Sequence, residues 1–111
     1  PRLIGPARAA AMALLNEPIS AAEAERLGLV LKVVPQDQVV SEAQAIAARL
    51  AAGGPIGIAL TKRALDAAYD RDFESVLEYE AYLQDMAGRT ADHREGLAAF
   101  VEKREASFRG E

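Results

Sequence analysis

His93 is the only histidine in the 111 residues, and it stands among Asp92 and Glu95 in the stretch "ADHREGLAAF". An imidazole beside carboxylates is the residue set of general acid/base chemistry, which needs one partner to orient the ring and a substrate within reach. The spacing argues against it. On a helix turning about 100° per residue, Leu97 lies about 40° from His93, Phe100 at about 340° and Val101 at about 80°, so the histidine shares an apolar face. Asp92 points about 100° away and Glu95 about 160° away, so neither can orient the ring. With no second histidine and no cysteine, a metal site lacks its usual nitrogen and sulfur ligands. His93 is expected to be a partly buried or helix-terminal residue without a catalytic or metal-binding role.

Two other stretches invite a chemical reading. "AAGGPIGIALTK" has the glycines of a phosphate loop, but that loop must end in Gly-Lys-Ser/Thr so that backbone N–H groups and the lysine meet phosphates. Here Thr61 and Lys62 fall inside a helical pattern, and the glycines are accounted for as a helix stop and start. Glu80 is the second case. In the segment from Phe73 to Ala87, apolar residues cover more than half of a helical circumference, Glu74, Glu78 and Asp85 share a narrow strip opposite, and Glu80 falls inside the apolar arc. A carboxylate there should be paired, and Lys62 or Arg63 is the expected partner. An arc that wide implies burial on two sides, one of them against another subunit. The acidic runs "ADHRE" and "DRDFE" are expected to be solvated helix starts.

The bulk composition narrows the classes. Lys plus Arg number 13 against 17 Asp plus Glu, for a net charge of −4. Non-specific nucleic-acid binding requires the opposite field. The lack of cysteine excludes disulfides and thiolate chemistry and is compatible with a reducing cytosol, so the expected location is cytoplasmic. No apolar run approaches the roughly 20 residues of a membrane span. Half of the residues are apolar, but with three Phe, three Tyr and no Trp the core is thin, and a partner surface is expected. Pro1 in the place of an initiator Met suggests a piece of a longer protein.

The elements that would carry these residues are punctuated clearly. A helix is expected from about Arg2 to Leu15. A second starts at Ser20, with Glu23 three residues on as a capping box, Ile19 as a staple and Gly28 as a left-handed stop. "LVLKVVP" reads as one short strand, whose sheet partners must come from elsewhere. Asp37 should cap a third helix, with Val39, Val40, Ala43, Ile46, Ala47 and Leu50 at helical spacing. Gly53 and Gly54 end it, and Pro55 opens a fourth in the first-turn position proline tolerates. Asp72 should cap a fifth helix to about Ala87, and Thr90 a sixth to about Ser107. The fold class is mainly α, with six helices and one short strand.

Three stretches in order then carry a resemblance. "PRLIGPARAAAMALLNEPISAAEAERLGLVLKVVP", "GGPIGIALTKRALDAA" and "DHREGLAAFVEKREASFRG" together resemble the C-terminal half of the enoyl-CoA hydratase/isomerase (crotonase) family. The resemblance implies residues 1–35 as the end of a spiral core, and 36–111 as the helical trimerisation and lid region of a crotonase-like (ClpP/crotonase) fold. It implies a parent enzyme that binds acyl-CoA thioesters and stabilises an enolate in an oxyanion hole, either as a hydratase (a lyase, as in fatty acid metabolism) or as an isomerase. Coenzyme A is then part of the substrate, and no separate cofactor or metal is implied. The family's catalytic carboxylates and oxyanion loops precede the "PRLIG"-like helix, so no catalytic residue falls in this chain. Lys103, the lysine of the "FVEKR" motif, is the implied contact to the CoA phosphates, with Arg104 a weaker candidate. Met12, Leu14 and Leu15 lie in a stretch that can line the acyl pocket, and Gln84 stands where some members carry an adenine-stacking aromatic. The closing motif is similar to that of ring-epoxide isomerases of phenylacetate breakdown. A homo-oligomer, a trimer or a dimer of trimers, is the implied partner state. The competing expectation is an inactive helical oligomerisation or protein-binding module.

Overall fold

The computed structural model describes residues 1–111 and divides them into two compact units, Pro1–Ser41 and Glu42–Glu111. Six α-helices appear in order: α1 (Pro6–Leu15), α2 (Ala21–Arg26), α3 (Val39–Ala51), α4 (Pro55–Ala67), α5 (Phe73–Gly88) and α6 (Ala91–Glu102).

In the first unit, α1 starts at Pro6 and not at Arg2. Gly5, at φ 81°, turns the chain into the helix and Pro6 takes the position whose N–H needs no partner. Around α2 the Ser20 cap and the Gly28 stop hold, but the Glu23 carboxylate turns to Arg26 and does not close the capping box. Ser20 accepts a hydrogen bond from the Glu23 N–H, while Gly28 (φ 75°) and Leu29 donate to the Glu25 and Ala24 carbonyls and close a Schellman motif. The Glu23 carboxylate clasps Arg26 through two bonds of 2.7 and 2.6 Å.

The expected strand is absent. Residues 29–35 form no ladder, and the Val33 N–H is satisfied by the Glu25 carboxylate at 2.8 Å. A β-branched segment needs another edge to pair with, and this chain supplies none. Nor does Asp37 cap α3; it sits in a 3₁₀ turn, Gln36–Gln38, through which the chain enters the helix.

In the second unit Pro55 occupies the first turn of α4 after Gly54. Helices α4 and α5 make the most extensive helix–helix contact, and each buries one leucine, Leu60 and Leu83. Asp72 caps α5 through the Ser75 N–H, and Thr90 caps α6 through the His93 N–H. Helix α6 stops at Glu102, five residues short of Ser107, because Lys103 turns into the left-handed region at φ 54°.

The core is as thin as the composition implied: Ile4, Leu60, Leu83 and Ala99 are its buried apolar residues. The chain exposes 8835 Å², whereas two separate compact units of these sizes would together expose about 7,100 Å². On α5, Leu83 is buried and Val76 and Tyr79 half-buried, while Phe73, Leu77 and Tyr82 remain open to solvent. No single helix is long and apolar enough to cross a membrane.

Candidate functional site

Three grooves and one clasp hold the residues of interest. In the first unit a groove of about 200 Å³ is lined by Met12, Leu15, Ile19 and Leu27, with Arg8 and Glu23 among the charged groups. Met12 and Leu15 lie one turn apart on α1, so one apolar strip faces the groove. Leu14 is not part of it and is 83% exposed. Hydrogen bonding to Arg26, reinforced by the nearby Arg8 charge, holds the Glu23 carboxyl below its ordinary value.

A second groove, of about 370 Å³, runs between α4 and α5 over Leu60 and Leu83, with Glu80 and Gln84 on one wall. Glu80 is exposed, and the expected pairing with Lys62 or Arg63 is not formed. The positions of α4 that face the groove are Gly57, Leu60, Thr61, Ala64, Leu65 and Ala68. Lys62 and Arg63 fall on the other side of that helix, and the Glu80 carboxylate stays on the exposed wall of the groove.

The third groove, of about 400 Å³, is lined by Ile58, Thr61, Thr90, His93, Leu97 and Phe108 among others. His93 is half-buried in the first turn of α6, with no carboxylate bonded to its ring. Asp92 and Glu95, the two neighbours that might have oriented it, are engaged elsewhere.

Their engagement is the most developed polar structure in the chain, and it corrects the reading of "ADHRE" as a solvated helix start. Asp92 is buried, 7% exposed. Its Oδ1 accepts the Arg109 N–H at 2.7 Å, its Oδ2 accepts the Gly110 N–H at 2.8 Å, and its own N–H donates to the Glu111 carbonyl at 3.0 Å. The chain's last residues thus return to the start of α6 and satisfy one of its free N–H groups. Gly110 suits the place because its φ is +82°, where any side chain would be strained, and an added Cβ would also crowd Pro55 Cγ at 3.1 Å. Phe108 completes the docking, its ring close to the Cα positions of both Gly54 and Gly96.

Glu95 holds the middle of the same tail. Its two oxygens take Arg104 Nη1 and Nη2 at 2.6 and 2.9 Å, and Oε1 also accepts the Ser107 N–H at 2.9 Å. Arg104 Nε reaches back to Glu102 at 2.6 Å. The guanidinium fork and the Ser107 N–H together hold the Glu95 carboxyl down at about 2, against an ordinary 4.5. Because the folded value lies below the unfolded one, this clasp contributes fully above the unfolded value and is lost as pH falls through the interval to the folded one. Acid titration followed by the Phe108 ring resonances is therefore expected to loosen the tail only below about pH 4.5. A loosening centred near neutrality would contradict the clasp.

Lys103 lies between the two bonded neighbours Glu102 and Arg104. It is exposed, forms no ion pair, and holds a left-handed conformation that costs a non-glycine residue about 1–2 kcal/mol. Arg104, the second candidate for a phosphate, is already committed to two carboxylates. Glu95, Glu102 and Glu105 surround the turn, so the lone Lys103 ammonium could hold a phosphate only with companion groups from outside it. Nowhere in the chain are a nucleophile, a base and an orienting group brought together.

The chain matches the enoyl-CoA hydratase/isomerase family over residues 1–111. It is 38% identical over 110 residues to the 1,2-epoxyphenylacetyl-CoA isomerase of Escherichia coli K12, covering 99% of this chain and 42% of that protein. It is 36% identical to the crotonyl-CoA hydratase of Syntrophomonas wolfei, covering 97% and 42%. Among solved structures, an enoyl-CoA hydratase from Bacillus anthracis superposes with a TM-score of 0.95 at 39% identity, over 100% of this chain and 43% of that one. The chain thus spans less than half the length of these relatives and corresponds to their C-terminal half.

Proposed function

The chain belongs to the enoyl-CoA hydratase/isomerase family, and from that premise we propose that it is the C-terminal part of an enzyme acting on acyl-CoA thioesters. The observation that carries the reading is the whole-length match, 1–111, to a family whose named members hydrate or isomerise such substrates. In this reading the parent stabilises an enolate with preorganised N–H donors and moves the proton with a carboxylate. Those groups belong to the part of the relatives that this chain does not span. The reaction is a hydration or an isomerisation, in a cytoplasmic homotrimer or dimer of trimers, with coenzyme A entering as part of the substrate.

The chain's own contributions are then positional. Residues 1–35 close the spiral core, and the Met12–Leu15 strip forms a wall of the acyl pocket. Residues 36–111 assemble the subunits and cover the site, using the apolar surface that α5 and α6 leave open. Lys103 reaches the CoA phosphates from that cover, a mobile point charge suited to phosphate. The isolated chain is an assembly module without activity.

The test is turnover. The pure 111-residue chain mixed with crotonyl-CoA should leave the enoyl absorbance unchanged over hours, while the same residues within the longer parent should bleach it. Hydration by the isolated chain would overturn the assignment of the chemistry to residues outside it.

A further inference from the structure

We propose that residues 103–107 are a two-state segment, held out of α6 by the Glu95–Arg104 clasp and able to join the helix when that clasp opens. The sequence favours the helical state. Lys103, Arg104, Glu105 and Ala106 are all good helix formers that follow directly on the last turn of α6. The structure adopts the other state: Lys103 takes φ 54° and ψ 39°, a conformation suited to glycine, and the Arg104 N–H bonds back to the Ala99 carbonyl at 3.0 Å.

The two states exclude each other by geometry. Glu95 and Arg104 are nine residues apart. On a continuous helix that separation places the two side chains about 180° apart around the axis and about 13 Å apart along it, so the fork cannot survive extension. The Ser107 N–H, now on Glu95 Oε1, would turn to the Lys103 carbonyl. Extension would also carry Phe108 away from the Gly54–Gly96 slot and take the Arg109 and Gly110 N–H groups off Asp92. What opposes the helix is thus a set of tertiary bonds that are made or lost together. Such a segment has two discrete arrangements, not a continuum.

The experiment is nuclear magnetic resonance of the intact 111-residue chain. In the native sequence Lys103 should show a left-handed Cα shift and residues 104–107 no helical shifts. Glu95→Ala should move the Cα shifts of 103–107 to helical values, and Arg104→Gln, which opens the clasp from its other end, should do the same. Lys103→Gly added to Glu95→Ala should abolish the gain, because glycine suits the turn and weakens the helix. Deleting Phe108–Glu111 provides a variant that leaves α4, α5 and the clasp residues in place; it should raise the helical share of 103–107 at least several-fold. Loss of the clasp with 103–107 passing to random-coil shifts, or no change at Lys103 in any variant, would overturn the proposal.

Discussion

Asp92→Ala is expected to release the last three residues and to cost the second unit about 3 kcal/mol, the sum of two hydrogen bonds from backbone N–H groups to a carboxylate. The buried Asp92 carboxylate is the partner of both the Arg109 and Gly110 N–H groups. Its removal does not strand them in the interior, because the tail can peel away and meet water. The loss is therefore bounded by the energy of docking the tail. Amide exchange reads this directly: protection at Arg109 and Gly110 should fall by about a hundred-fold, given tenfold per 1.4 kcal/mol. Asp92→Asn, which keeps one acceptor oxygen, should lie between. Unchanged exchange at both amides in the alanine variant would refute the clamp.

Leu83→Ala is the second large effect. Leu83 is 4% exposed in α5, where that helix meets α4. Leucine-to-alanine changes in cores cost about 2–5 kcal/mol. The groove beside Leu83 is open to solvent, so neighbouring side chains and water can fill the gap and the low end, about 2–3 kcal/mol, is expected. Leu77, on the same helix but 55% exposed, is the control: in a monomer its truncation should shift stability by no more than about 0.5 kcal/mol. Urea unfolding of the two variants decides the matter. Equal losses would mean that the open side of α5 is covered by a second copy in solution.

What could be foreseen in this chain was local. Ser20, Asp72 and Thr90 cap helices because a short side-chain oxygen can reach an N–H three residues on, and Pro55 and Gly28 act through their own backbone preferences. None of these depends on the rest of the chain. The misreadings share the opposite property. "LVLKVVP" has strand composition, but a ladder needs a second edge. Asp92 and Glu95 look like any acidic first turn until residues 104–111 fold back, 9 to 18 positions later. Lys103 carries no local signal for a left-handed turn, and only the competition with Arg104 explains it. Glu80 differs for a related reason: counting positions around α5 puts it inside the apolar arc, but no residue of this chain packs over it.

The same is true of the grooves. The resemblance singles out Met12, Leu14 and Leu15 together, and only the positions around α1 separate Met12 and Leu15, which line a groove, from Leu14, which does not. The clasp around Lys103 was not legible, since it arises from bonds between residues that the helical period sets on opposite faces.

The shortage of interior also shapes the thermodynamics of the chain. Denaturant sensitivity and the heat-capacity increment both scale with the surface newly wetted on unfolding. A polypeptide that presents 8835 Å² to water while folded wets about 8,300 Å² on unfolding, against about 10,000 Å² for two fully compact units of these sizes. A calorimetric heat-capacity increment smaller by about a sixth than that of a fully packed chain of this length is the expected result.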